Sequence, residues 1–148
     1  MKRYFLISIF LGACLMQCAS MVAQDTEKKI RRSDLPDAVR KTVDAETKGA
    51  TLSAVSKETE KGHVYYEASF VVKGHRRDIL IDSAGTVVEV EEEVAFDDLP
   101  ADIQKALETK AGKGKIIKVE SVTKPGKPVT YEATVQTGGK TTEVLLRP

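Results

Sequence analysis

Apolar residues fall on every second position along two similar stretches of this chain. In residues 64–72 these are Val64, Tyr66, Ala68, Phe70 and Val72, and in residues 129–135 they are Val129, Tyr131, Ala133 and Val135. A period of two is typical of a strand that buries one face and exposes the other. Both stretches contain the sequence Tyr-Glu-Ala, so they predict two equivalent, half-buried strands.

A helix start precedes each of these strands. Asp34-Leu35-Pro36 and Asp98-Leu99-Pro100 each place a capping residue before a proline, which is tolerated in the first turn of a helix. Apolar residues then recur at three- and four-residue spacing. The pattern predicts two short amphipathic helices, the first of which runs to about Lys48 and is ended by Gly49.

Short turn-forming segments separate further strand patterns in the first copy. Alternation is weak over 51–59, residues 76–82 carry the aliphatic run Ile79-Leu80-Ile81, and valines alternate with glutamates over 86–93. The separators at 61–62, 73–75 and 82–85 are so short that they predict antiparallel neighbours. The first copy is therefore predicted to contain a helix and four strands, and the second a helix and three strands.

The two copies align with each other along most of their length. Asp34 matches Asp98 at an offset of 64 residues, and one extra residue near Gly112 is expected to raise the offset to 65, which matches Ser56 with Ser121. A unit of about sixty residues is too small to form a separate core. The predicted fold is therefore α+β: two tandem helix-plus-antiparallel-meander repeats form one continuous antiparallel sheet of about seven strands, with both helices on one face.

The first residues have the pattern of an export signal. Lys2 and Arg3 precede an apolar run over 4–16, which fades into small and polar residues. Cleavage is expected after Ser20 or Ala23, and the run is too short for a stable membrane span. A lipoprotein signal at Cys14 is the alternative interpretation. The predicted organisation is a signal peptide over 1–23, a flexible charged leader over 24–33, and repeats over 34–95 and 96–148.

Charge and cysteine content exclude several classes of function. The chain carries a net charge of +1, which gives no electrostatic basis for binding nucleic acid. Both cysteines lie in the signal region, so a mature chain that begins at Gln24 has no thiol for catalysis, for a disulfide or for zinc.

Few residues carry chemistry. His63 and His75 lie beside glycines in predicted turns, without acidic residues at ligand spacing, which favours surface residues over a catalytic base or a metal ligand. The acidic run at 89–93 is interpreted as a solvated strand face, because alternate residues of a strand point apart and cannot collect around calcium. No catalytic residue, metal ligand or cofactor is predicted, and the chain is interpreted as non-enzymatic.

Alternation predicts two different sheet faces. Tyr66 and Tyr131 belong to the buried set beneath the helices, whereas the opposite face is polar. This second face is a candidate partner-binding surface for a protein or peptide, and an ordinary solvated face is the alternative. Its predicted residues are Tyr65, Glu67, Ser69, Glu89, Glu91, Thr130, Glu132 and Thr134.

The order of these motifs resembles the PepSY-like family described as β-lactamase-inhibitor-like. The resemblance runs from about Asp34 to Leu146, but the second copy lacks the Asp-x-x-Gly turn and the strand after it. It implies an exported bacterial α+β protein without an established catalytic role, in which inhibition of a β-lactamase or peptidase is inferred from the fold alone. The motifs that carry it are Leu35-Pro36, Tyr66-Glu67-Ala68, Asp82-Ser83-Ala84-Gly85, Val88-Glu89-Val90-Glu91, Leu99-Pro100 and Tyr131-Glu132-Ala133.

These observations predict a periplasmic or extracellular module that binds a protein or peptide of the cell envelope. One alternative is a lipid-anchored structural envelope protein, which would contact the membrane only if Cys14 is lipidated. Another is a small-ligand carrier, which would need polar groups that converge on an apolar cavity.

Overall fold

The computed structural model describes residues 26–147, so the predicted export signal and Cys14 lie outside the described residues. Helix α1 (Asp37–Glu46) lies between the first two strands, and helix α2 (Ala101–Ala111) lies between the fifth and the sixth. The predicted α+β class and single antiparallel sheet are confirmed. The sheet has eight strands in chain order: β1 (Thr26–Lys29), β2 (Thr51–Glu60), β3 (His63–Val72), β4 (His75–Asp82), β5 (Val87–Glu93), β6 (Lys115–Thr123), β7 (Thr130–Thr137) and β8 (Lys140–Leu146).

Both helices lie on the same face of the sheet, which we call the helix face. Beneath α1, Ala68 of β3 stands opposite Ile79 of β4, and Ile79 stands opposite Val90 of β5. Val90 in turn stands opposite Thr123 of β6. Alternate residues of β6 share a face, so Thr123, Ser121 and Val119 point the same way, and Val119 belongs to the core beneath α2. The opposite side, which we call the open face, is covered by neither helix.

Two apolar cores lie between the helices and the sheet. The larger buried side chains beneath α1 include Phe70, Ile79 and Ile81, which have no measurable exposure. The core beneath α2 centres on Leu107, which is also fully buried. Burial of each such side chain stabilises the fold by about 1.5–3 kcal/mol. Neither helix in residues 26–147 has the length and hydropathy needed to cross a bilayer.

The segment that was predicted to be a flexible leader contains a strand. Strand β1 pairs with β2, so that Lys29 stands opposite Ser56, and a 3-10 turn (Arg32–Asp34) follows it. All four side chains of β1 are exposed. Alternation could not reveal this strand, because backbone pairing at a sheet edge needs no buried face.

Strand β1 also changes how the chain is grouped into units. A strand, a 3-10 turn, a helix and three strands follow one another twice: β1 to β4 with α1, and β5 to β8 with α2. We call these the first and second halves. Strand β5 is thus the counterpart of β1, whereas the sequence pattern had assigned it to the end of the first repeat.

The position of the extra residue in the second half also differs from the expectation. Val55 stands opposite Ala68, and Val119 stands opposite Ala133, so β2 matches β6 at an offset of 64 while β3 matches β7 at 65. The extra residue therefore lies in the connection between β6 and β7 rather than near Gly112. Consequently Ser56 matches Glu120 on the open face and does not match Ser121, which lies on the helix face.

The predicted Asp-x-x-Gly turn joins α1 to the sheet. The carboxylate of Asp82 accepts hydrogen bonds from the backbone N–H groups of Ala84, at 2.9 Å, and Thr86, at 2.8 Å. Gly85 has a φ of +90° and lies so close to the α1 backbone that a Cβ would stand 2.9 Å from the carbonyl oxygen of Ala38. The hydroxyl of Thr42 donates to the carbonyl of Gly85 at 2.6 Å. These contacts fix α1 over β4.

Candidate functional site

The register brings all the predicted site residues onto the open face. Glu67 of β3 stands opposite Leu80 of β4, which stands opposite Glu89 of β5. Glu91 stands opposite Val122 of β6, which stands opposite Thr130 of β7. Ser69 is buried, and the other predicted site residues are half-buried. The face is thus one surface that runs across both halves.

The histidines lie at strand starts rather than inside turns. His63 begins β3 and His75 begins β4, and both are exposed. The His63 ring lies 6.4 Å from the ring of Tyr65, which is its neighbour along the open face.

Two buried acids at the centre of this face were missed by the sequence analysis. Asp78 of β4 is 3% exposed, and Glu120 of β6 is 5% exposed. The aliphatic run around Leu80 concealed the alternation of β4, and the expected offset of 65 placed Ser121 where Glu120 belongs. An offset of 64 through β6 would have identified Glu120 as the counterpart of the buried Ser56.

Three carboxylates meet at this point. Oxygen atoms of Asp78, Glu91 and Glu120 all lie within 4.8 Å of one another. The three residues belong to adjacent strands, with Asp78 directly opposite Glu91. Residues of one strand do point apart, as expected, but residues of neighbouring strands converge. The acidic run is therefore more enclosed than a solvated strand, because Glu92, on the helix face, is its one exposed residue and the others are half-buried.

Basic side chains at the rim hold the buried carboxylates. Arg76 Nε lies 2.9 Å from an oxygen of Asp78, and Lys118 Nζ lies 2.8 Å from an oxygen of Glu120. The Arg76 and Lys118 side chains are 45% and 35% exposed, whereas their carboxylate partners are 4% and 7% exposed. Such pairing offsets the cost of removing a carboxylate from water. The charges of the basic groups face the solvent, and those of the acids line the sheet.

A hydroxyl network extends these contacts along β3. The hydroxyl of Ser69 donates to a Glu67 oxygen at 3.3 Å, and Arg76 Nη2 lies 3.5 Å from the same hydroxyl oxygen. A third ion pair, between Lys124 Nζ and Glu89 at 2.8 Å, lies beyond the end of β6. The arrangement supplies hydrogen-bond acceptors in a fixed plane, and the described residues of this face contain no activated nucleophile with an orienting base.

A second concave region lies on the other side of the molecule. A groove of about 470 Å³ between the end of α2 and β6 is lined by Phe96, Glu108, Ala111, Gly112, Gly114 and Ile116. It opens to solvent, and Glu108 contributes the one charged side chain of its lining. A small-ligand carrier would need several convergent polar groups in an enclosed cavity. This open groove does not provide them, so it is a weaker candidate site than the open face.

Comparison with known proteins identifies relatives by structure alone. No family model and no curated protein matches the chain. A candidate periplasmic protein from Bacteroides eggerthii matches with a TM-score of 0.63 and 19% identity, over 75% of this chain and 80% of that chain. A DUF2874 family protein from Bacteroides ovatus matches with a TM-score of 0.60 and 17% identity, over 75% of this chain and 79% of that chain.

A BLIP-like protein from Bacteroides fragilis has a similar structure as well. It matches with a TM-score of 0.56 and 20% identity, over 75% of this chain and 77% of that chain. At these identities, the three matches establish a shared fold, which is the fold expected from the resemblance to β-lactamase-inhibitor-like proteins. Function has to be argued from the site.

Proposed function

We propose that this protein is an exported, non-enzymatic module that binds a protein or peptide through the open face. The observation that carries this proposal is the placement of polar, half-buried side chains from both halves on one sheet surface that neither helix covers. Both helices stabilise the opposite face, so substitutions on the open face can change specificity without disturbing either core.

The composition of the open face supports a protein partner over a small molecule. Tyr65, Leu80 and Leu145 are half-buried there and supply apolar contact area. They lie among carboxylates and hydroxyls, as in the mixed apolar and polar surfaces of protein interfaces. The candidate residues are spread over strands β3 to β7, whereas a small ligand needs a concave site that removes most of its surface from water.

The proposed location is the periplasm or the extracellular space. The basic and apolar pattern of the first residues supports export, and the similar structures include a candidate periplasmic protein. A similar structure described as BLIP-like supports an inhibitor-like mode of binding. We further propose that the two halves are tandem copies of a PepSY-like unit, because element order and strand register agree between them.

Site-specific photo-cross-linking in envelope extract tests the proposed function. A photoreactive amino acid is placed at Tyr65 or Thr134 on the open face, and in control variants at the exposed Lys41 or Lys105 on the helices. We expect the two open-face positions to give an adduct with the same partner, identified by mass spectrometry, and the two helix positions to give no such adduct.

A double variant that disrupts the open face makes the cross-linking test specific to that surface. Tyr65→Ala/Glu67→Lys changes the contact area and the charge of the open face without removing a core residue, so it should abolish the adduct formed from Thr134. If the same adduct forms from the helix positions, or persists in this double variant, the open face is not the binding surface and the proposal is overturned.

A further inference from the structure

The open face carries an excess of negative charge. On strands β3 to β7, its basic side chains are Arg76, Lys115 and Lys118, to which Lys124 adds a fourth charge just beyond β6. Carboxylates outnumber them clearly, although the whole chain has a net charge of only +1. The acidic residues of this face on β3 to β7 are Glu67, Asp78, Asp82, Glu89, Glu91, Glu93, Glu120 and Glu132.

Several of these acids stand directly opposite one another. Asp78 faces Glu91, and Glu120 faces Glu93 on one side and Glu132 on the other. Like charges in directly opposed positions destabilise a sheet. The ion pairs to Arg76 and Lys118 offset part of this repulsion, but the arrangement still costs stability. Unfavourable contacts that are confined to one surface are typical of functional sites, where residues are kept for binding although they lower stability.

The extent of the acidic surface argues for a macromolecule over a single ion. Neighbouring strands lie about 4.8 Å apart, so the carboxylates from β3 to β7 span roughly 20 Å. A calcium ion collects its oxygens within about 2.6 Å. The central carboxylates of Asp78 and Glu120 are already held by Arg76 and Lys118. Tyr65, Leu80 and Leu145 lie on the same face and match a partner that also carries apolar groups.

We infer that the occupant of the open face is a basic protein segment whose lysine or arginine side chains alternate with apolar ones. This inference rests on the proposed function and adds the chemistry of the partner. Basic side chains of the segment are attracted by the excess of carboxylates on the open face, and its apolar side chains contact Leu80 and Leu145. Charge complementarity supplies orientation and a fast association rate, and the apolar contacts supply affinity.

Fluorescence anisotropy with a defined probe tests the inference. The probe is a short fluorescein-labelled peptide in which lysine and valine alternate, and a peptide with glutamate in place of lysine is the control. We expect the lysine peptide to bind in about 0.15 M salt, with an affinity that falls as salt screens the charges, and the glutamate peptide not to bind.

Two charge-matched triple variants separate the surface from net charge. Glu67→Gln/Glu91→Gln/Glu132→Gln removes three negative charges from the open face, and Glu46→Gln/Glu92→Gln/Glu108→Gln removes the same charge from exposed positions on the helix side. We expect the open-face variant to raise the Kd of the lysine peptide by at least about tenfold, equivalent to about 1.4 kcal/mol, and the helix-side variant by less than about twofold. Circular dichroism checks that both variants remain folded.

The outcomes distinguish this inference from the proposed function. Equal loss of binding in both variants, or no binding by the wild type, overturns the basic segment as the occupant. If the open-face photo-cross-links still form in that case, the proposed function stands with a partner of different chemistry. If calcium chloride binds the wild type but not the open-face variant, while the peptide binds neither, the face is a cation site and the inference is wrong.

Discussion

The two halves of the molecule share one architecture but differ in whether the helix or the sheet supplies the large side chains of the core. In the first half α1 contributes the small residues Val39 and Val43, and the sheet contributes Phe70. In the second half α2 contributes the larger Ile103 and Leu107, and the counterpart of Phe70 is Val135. Large residues therefore stand on the sheet in one half and on the helix in the other. Cores tolerate such exchange as long as the total volume is conserved.

The halves also differ in how the 3-10 turn is attached to the helix that follows it. Arg32 forms an ion pair with Asp44 of α1, with Nε 2.9 Å from the carboxylate, and both side chains are about half exposed. The matching positions in the second half are Phe96 and Glu108, and Phe96 packs against the core beneath α2. One half uses charge and the other uses apolar contact at the same place, so they should respond differently to salt and pH.

The largest expected difference concerns the sheet residues of the two cores. Phe70→Ala should lower the free energy of unfolding by about 3–5 kcal/mol, because it removes a fully buried ring. Val135→Ala removes far fewer atoms from the matching position and should cost about 2 kcal/mol or less. Urea unfolding of both variants measures the difference. Equal losses would show that the cores are not divided as described.

The tyrosines of the two Tyr-Glu-Ala strands sharpen the comparison. Tyr66 is 8% exposed, whereas Tyr131 is only half-buried. Tyr66→Ala should therefore lower the Tm more than Tyr131→Ala, with a cost of about 3 kcal/mol for Tyr66. Glu67→Ala and Glu132→Ala, on the open face, should change stability by about 0.5 kcal/mol or less. If the glutamate variants lose as much stability as the tyrosine variants, the assignment of the two faces is wrong.

The attachment of the 3-10 turns predicts a smaller, salt-dependent difference. Phe96→Ala should lower stability by a similar amount at low and high sodium chloride, since apolar burial does not depend on ion pairing. Arg32→Ala should have a smaller effect, which disappears at high salt because the pair with Asp44 is screened. Thermal unfolding across a salt series measures both. An Arg32→Ala effect that persists at high salt would contradict an electrostatic role.

The smallest expected effect is on pH dependence. The hydrogen bond from Arg32 lowers the pKa of Asp44, and the hydrogen bond from Arg31 lowers the pKa of Asp34, both from an ordinary value of 3.8. A carboxyl whose pKa is lowered by folding stabilises the protein above its unfolded-state pKa, and this contribution is lost as the pH falls through the folded value.

Acid unfolding checks this expectation in the first half. The stability difference between the wild type and Arg31→Ala/Arg32→Ala should be present at neutral pH and should shrink below about pH 4. The second half has Ala95 and Phe96 at these positions, so Phe96→Ala supplies the control without this pH dependence. A difference that stays constant to low pH would rule out these ion pairs as its source.

Much of the fold could be predicted from alternation, but the pairing partners could not. The period of two around Tyr66 and Tyr131 was sufficient to assign the two faces, and the Leu-Pro motifs located both helices. Strand β1 was missed because its exposed residues carry no pattern. Asp78 and Glu120 were missed because their proximity to Glu91 depends on the register of three strands, which one stretch of sequence does not specify.

A methyl-resolved NMR titration with the alternating lysine–valine peptide tests the central claim most directly. We expect chemical-shift changes at Leu80, Val122 and Leu145, whose side chains lie on the open face, and none at Leu107 in the core beneath α2 or at Ile116, which lines the groove. Changes centred on Ile116, with Leu80 and Leu145 unaffected, would place binding at the groove and contradict the assignment of the open face as the functional surface.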